Sequence, residues 1–567
     1  MKLVVAVALT SAIAAAGRPD FTGEWRLIQT QNPSPGQQNL ASVVLQIDHR
    51  DPTLILRRLE VRGQNLREDV LFLSTDGVER LNELARETVK SIAIWRGEAL
   101  EIRTWGKLQG EEIDWLDRYQ LSREGRSLTL TRSSRLAAPG PGSAPGNQTL
   151  QLERVPLRAG VARVDITPAQ SLPMYGYANR ACGPSNGVHD PLMAKVLVLE
   201  SALQRLAIVT LDLGSIVTAK LHQRVAAELN IPVLLLAASH THSAPLFLPS
   251  AQTPTSPLGA TTGAPAYREE MENKVFGAIR QASQSMFEAR LRIGRGEARL
   301  GYNRLVLGDH GRARAVFDNL ERLPYGPLDP EFQLLEVTDS HGEARALLVH
   351  YAVHPVVLGP SNCKFSADYP GSLQHHLEQA IPGLQAMFVQ GGAGDINPLF
   401  LGRTKDEEKD FAQVERMGKL LAAEVLKVRS SMRLLPETSF PLRAESATML
   451  FADRWDKTRS HEIGIATVLI GRDIAIATLP GEAMHKLQTL WKQEAGVAFP
   501  LFYGYTYSQG GVWAGYVPDL RTAAYGGYGA DSSVTRVELG AGERILTQHR
   551  IQLFRLRGLW REQPGPP

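Results

Sequence analysis

Three apolar runs in this chain end in side chains that can do chemistry. "VLLLAASHTHSAP" (233–245) ends in His240 and His242, "LLVHYAVHP" in His354, and "MFVQGGAGDINP" in Asp395 and Asn397. Residues i and i+2 of an extended segment point to the same side, so His240 and His242 can face one pocket. His354 can join them from another strand. Neutral imidazole is a common zinc ligand, and a catalytic zinc takes three protein ligands and keeps one position open. A strand-end histidine is also a familiar hydrogen-bonded structural residue, and Asp395 reads equally as a turn carboxylate. The spacing alone leaves both readings standing.

The elements that must position these residues read as α/β. "RLAIVTLDLG" and "IPVLLLAASH" are strands with little polar alternation, as when both faces are covered. Between them "AKLHQRVAAELN" has helical spacing, which makes a strand–helix–strand crossover with parallel strands. "EFQLLEVTDSHGEARALLVHYAVHP" reads as two strands joined by an Asp-Ser-His-Gly turn. Open α/β sheets build their sites beyond the carboxyl ends of strands, which is where the histidines fall. The expected fold for residues 158–567 is therefore a mixed sheet with helices.

Upstream, residues 17–136 read as an all-β module, from alternations such as "SVVLQIDHRDPTLILRRLEVRG" and "GRSLTLTRSSR". It opens with "DFTGEWRL", whose Phe21, Gly23 and Trp25 resemble the first strand of lipocalin-like barrels; a Trp plugging any small β core is the alternative. "AAPGPGSAPGNQT" is rich in Pro, Gly and Ala and reads as a linker, placed at 137–157.

A chain of 567 residues suits two or three domains. Lys plus Arg is 62 and Asp plus Glu is 59, a formal charge of 62 − 59 = +3, too small for a nucleic-acid partner. Residues 1–16 of "MKLVVAVALTSAIAAAG" read as a signal peptide, giving an exported, periplasmic or secreted protein. Cys182 and Cys363 are compatible with one bridge or with two separate buried thiols.

The segments "ARVDITPAQSLPMYGYANR", "GVHDPLMAKVLVLE", "LDLG", "SHTHSAP", "YNR", "HYAVHP", "SADYPG", "QGGAGDINP", "LPGEAM" and "GYVPDLRTAAYGGYG" follow one another along the chain. In this order they resemble neutral ceramidases, zinc-dependent amidases that split the N-acyl bond of ceramide, from about Gly160 to about Ala530. The resemblance implies Zn2+ held by His240, His354, Glu482 and Tyr516. It places Tyr528 as a second active-site tyrosine, and His242 and Arg304 at positions that contact substrate or the reacting centre. On this reading zinc-bound water attacks the amide, His242 moves a proton to the departing amine, and Arg304 binds substrate. Tyr528 or Asn397 steadies the carbonyl oxygen, while Asp395 orients its neighbours. One residue departs from the family pattern: Asn397 stands where a serine essential to activity is found, and asparagine is no hydroxyl nucleophile, although its amide can hydrogen-bond a carbonyl.

The expected whole is a small lipocalin-like module ahead of a zinc-hydrolase domain that cleaves the amide of an N-acyl lipid. Its partners would be a small-molecule or lipid amide and, as an open alternative, a membrane surface touched peripherally. Two rival readings remain: a zinc hydrolase of a different ester or N-acyl substrate, and a binding protein whose site no longer turns over.

Overall fold

The computed structural model describes residues 18–31, 42–62, 65–136, 147–180, 182–246, 264–308, 310–508 and 510–560. The expected signal peptide, residues 1–16, lies outside them, as does most of the Pro/Gly-rich segment. The chain divides into two compact units between Val155 and Pro156.

The first unit is all-β, as its alternation requires. Ten antiparallel strands run from Gly23–Gln31 to Gln148–Arg154, and the first pairs with the last to close a barrel. Leu128 and Leu130 on one strand and Leu150 and Leu152 on the next alternate into its core. Trp25 is fully buried there, and its indole Nε1 donates to the Phe21 carbonyl at 2.9 Å. The boundary expected at 136 moves to Val155. Composition at 137–149 marks a connection but not what it connects, and the apolar alternation of Gln148–Arg154 adds the closing strand of the barrel.

The second unit stacks two sheets between helices. In the larger sheet the strands lie in the order Gln385–Gln390, Ala344–Tyr351, Glu331–Asp339, Phe287–Glu297, Arg158–Asp165, Met193–Glu200, Arg205–Leu211, Val233–Ala238 and Thr506–Tyr507. The smaller has Leu442–Ala452, Ser460–Ile470, Ile474–Thr478 and Phe499–Tyr503. Apolar side chains leave both faces of each strand. Leu206 and Ile208 meet Val468, Ile476 and Leu501 between the sheets, whereas Ala207 and Val209 face the helices Ala219–Leu229 and Ala264–Gln284. That double burial explains why the strands read as continuous apolar runs. The helices Asp368–Ala380 and Glu407–Arg429 cover the rest of the large sheet, and His485–Glu494 and Ala541–Leu556 cover the outside of the small one.

Parallel pairing sets the position of the site. Arg205–Leu211 runs parallel to Val233–Ala238, Ala344–Tyr351 to Gln385–Gln390, and Ile474–Thr478 to Phe499–Tyr503. Carboxyl ends from both sheets thus gather along one edge. Cys182 and Cys363 form a disulfide, which settles the sequence alternative in favour of one bridge. It joins two loops beside that edge, where Asn362 Nδ2 donates to Ser243 Oγ at 2.9 Å.

Candidate active site

His240 and His242 follow the strand Val233–Ala238, but not in extended form. His240 has φ +70°, so the same-side argument for an extended pair does not explain their convergence. The chain turns at His240 and both rings still reach one point. Gly176, at φ +100°, makes room: a Cβ there would lie 2.2 Å from the His242 ring.

His240 Nδ1 donates to the Gly214 carbonyl at 2.5 Å and His354 Nδ1 to the Ala393 carbonyl at 2.6 Å. A carbonyl only accepts, so each Nδ1 carries the proton and each Nε2 presents a lone pair. These lone pairs face a carboxylate: Glu482 Oε2 lies 3.3 Å from His240 Nε2 and 3.2 Å from His354 Nε2. His242 Nε2 lies 3.3 Å from His240 Nε2, and its buried Nδ1 has no partner among the described residues. The three rings offer nitrogen atoms within 4.8 Å of one another.

This donor set fits a metal. Acceptor atoms crowded together repel unless a cation lies between them, and tetrahedral zinc ligands at ~2.0–2.1 Å stand ~3.3–3.4 Å apart. Burial pushes His354 down to about 4 and His242 well below the usual imidazole range. Burial alone would raise Glu482, but positive charge on His240 and His354 would outweigh it and hold the carboxyl well below its usual range, a part that a metal ion among neutral rings would take over. Neutral imidazoles beside a carboxylate are the protonation state a metal requires.

The remaining sequence candidates surround this cluster. Arg304 is buried; its Nη1 donates to Asn397 Oδ1 at 3.1 Å, and its Nη2 donates to the Gly394 carbonyl at 2.6 Å and to Tyr516 OH at 2.9 Å. Tyr516 pairs with Glu482 across a two-stranded parallel ladder, so it adjoins the donors while its hydroxyl is engaged by Arg304. Tyr528, 40% exposed, lies edge-on to Tyr516 with ring centres 5.5 Å apart. Among the described residues Asp395 hydrogen-bonds elsewhere than to these donors. It accepts from Asn303 Nδ2 at 2.8 Å, from the His485 backbone N–H at 2.8 Å and from His485 Nδ1 at 2.6 Å.

The structure thus brings His240, His354 and Glu482 together, with His242 beside His240 and with Tyr516 next to Glu482 on the short ladder. Sequence reasoning passed over His485, the partner of Asp395, although it stands three residues after Glu482, next to a quoted motif. A cavity of about 630 Å³ opens over His242, Arg304, Asn397, Tyr516 and Tyr528.

Residues 157–417 match the family model described as neutral/alkaline non-lysosomal ceramidase, N-terminal. The crystal structure of neutral ceramidase from Pseudomonas aeruginosa superposes with a TM-score of 0.59 at 19% identity, covering 72% of this chain and 75% of that one. A ceramidase structure described as complexed with C2 gives 0.58 at 18% identity, covering 73% and 77%. At these identities the superpositions show a shared fold. The matched segment holds His240, His242, Arg304, His354, Asp395 and Asn397, while Glu482 and Tyr516 come to the site from beyond it. By this match residues 157–417 are similar to the N-terminal part of neutral/alkaline non-lysosomal ceramidases.

Proposed function

We propose that the second unit is a zinc-dependent amidohydrolase acting on an N-acyl lipid of the ceramide type, exported from the cytoplasm. One observation carries the reading: the convergence of His240, His242, His354 and Glu482 on one point beneath an open cavity. A zinc ion bound there supplies Lewis acidity for hydrolysis near neutral pH. His240 and His354 are held as donors by the carbonyls behind them, and His242 serves as a third imidazole donor. Arg304 keeps a positive charge at the cavity wall, beside the negative charge that grows on an attacked carbonyl. Removing a donor from such a position typically costs roughly 3 kcal/mol of transition-state stabilisation. Asn397, whose Oδ1 is held by Arg304, orients without attacking. The Cys182–Cys363 bridge favours an oxidising compartment and so supports export.

Asn397 favours a second reading of the substrate, an ester or a different N-acyl conjugate, because the family's hydroxyl is missing. For the first unit, closure into a barrel supports the lipocalin-like reading, although its interior cavity of about 150 Å³ is small for a lipid.

The test is metal content of the purified protein, then hydrolysis of ceramide, other N-acyl amides and esters before and after chelation and zinc return. Metal bound near one per chain, and amide hydrolysis that vanishes and returns with it, are expected. Hydrolysis that survives complete metal removal would refute the reading.

A further inference from the structure

The cavity above the donor cluster carries more positive charge than a neutral lipid amide can use. Its charged lining residues are Arg304, Arg403 and Lys405 against one acid, Asp318, a balance of 3 − 1 = +2. Arg304 is 4% exposed, and all its hydrogen-bond acceptors, Asn397, the Gly394 carbonyl and Tyr516, are formally neutral. Its Nε has no partner among the described residues. Arg403 is bound at one end only: Nη1 donates to the Phe317 carbonyl at 3.2 Å and to Asp318, while its buried Nε is also unpartnered. Asp318 is itself 66% exposed, so solvent screens that pair. Close packing fixes the Arg403 stem, since a Cβ on Gly359 would lie 3.0 Å from its Cγ. Lys405, exposed and with no side-chain partner among the described residues, sits on the same rim.

A neutral substrate filling this cavity would shut water away from these cations and offer them no anion. Removing charge from water without a partner is unfavourable, whereas a charge-assisted hydrogen bond is among the stronger contacts available. We propose that the substrate is an N-acyl amide bearing an anionic group, a carboxylate or its equivalent, which seats against Arg403 and Lys405 while the amide lies over the histidines. The inference rests on the zinc-amidase reading for the bond cleaved, and on the cavity for the charge. Arg403 and Lys405 then determine specificity rather than take part in the bond-breaking step.

The test uses the zinc-loaded full chain and matched pairs of substrates. N-lauroylglycine against N-lauroylglycinamide puts the charge on the amine half. The monoethanolamide of dodecanedioic acid against lauroyl ethanolamide puts it on the acyl half. At least one anionic member is expected to exceed its neutral partner in kcat/KM by about tenfold or more, mostly through KM. Arg403→Gln with Lys405→Gln should collapse that ratio toward one, and Arg403→Lys should retain most of it. Equal rates within both pairs, or a ratio the double variant leaves unchanged, would overturn the inference and leave the amidase reading intact. If no amide is cleaved, calorimetric binding of N-lauroylglycine and its neutral partner decides. Charge preference that disappears in the double variant upholds the inference against a failed amidase reading, and equal binding overturns both.

Discussion

Arg132 in the barrel and Arg304 in the second unit are both guanidiniums drawn largely out of water, and their surroundings differ. Arg132 donates through Nε and Nη2 to the two carboxylate oxygens of Asp117, each at 2.6 Å, and Arg58 nearby lies 2.8 Å from Glu60. Charge in the barrel interior is answered by opposite charge. Arg304 has only formally neutral acceptors and a cavity beside it. The same contrast separates the acids. Asp117 has its arginine, whereas Asp368 in the second unit accepts from backbone groups, among them Tyr369 N–H at 2.7 Å and Leu358 N–H at 3.1 Å. A group whose charge is met within the protein is held for structure. One left facing a cavity is available to something that enters.

The largest expected effect tests the open side of this comparison. His240→Ala removes the donor that stands 3.3 Å from both Glu482 and His242, so bound metal and hydrolysis should fall together to background, read by metal analysis and by amide turnover. Activity that persisted in metal-free His240→Ala would make the cluster a structural network, and the two units would then differ in nothing that matters for chemistry.

The next effect tests the closed side. Asp117→Ala leaves Arg132 in the barrel without its carboxylate and should cost about 3–5 kcal/mol, because an unpaired buried charge remains. Replacing both, Asp117→Leu with Arg132→Met, should recover most of that loss. Denaturant melts of the full chain, followed by tryptophan fluorescence, read both. A double variant as weak as the single one would mean that the pair is needed for more than mutual neutralisation.

How much of this was legible in the sequence follows the same division between local and distant information. The crossover from Arg205 to His240 could be read because its period changes from strand to helix and back within one short segment. The histidines at strand ends could be read because the sheet rule locates sites there. Glu482 came only through family resemblance, since nothing local distinguishes it from a carboxylate near a helix start. The approach of His242 Nε2 to His240 Nε2 could not be read, because it depends on the left-handed turn at His240, which no periodicity encodes. The second sheet and the barrel's closing strand were missed for a related reason: pairing of Gln148–Arg154 with Gly23–Gln31 joins residues far apart in the chain. Composition at 137–149 reports a connection, and not that the closing strand begins at its end with Gln148.

The smallest expected effect concerns Asp368, the acid without a cation. Burial pushes its carboxyl up to about 7, despite the backbone donors of Tyr369, Leu358 and Val357, which favour the charged form. In the unfolded chain the same group titrates near ~3.9. Because the folded value is the higher one, the folded state keeps a proton that the unfolded state gives up between these values. The stability contributed by the neutral carboxyl is therefore complete below about pH 4, declines as pH rises, and is gone above about pH 7. Asp368→Asn cannot ionise, but its amide nitrogen meets a backbone N–H where an oxygen accepted before, at a cost of about 1 kcal/mol. The variant should accordingly melt below the wild type at pH 5, and the gap should close or invert by pH 8. A gap that stays constant or widens with pH would show that the carboxylate is already charged in the fold, and that this region, like the barrel, supplies a partner for every charge it buries.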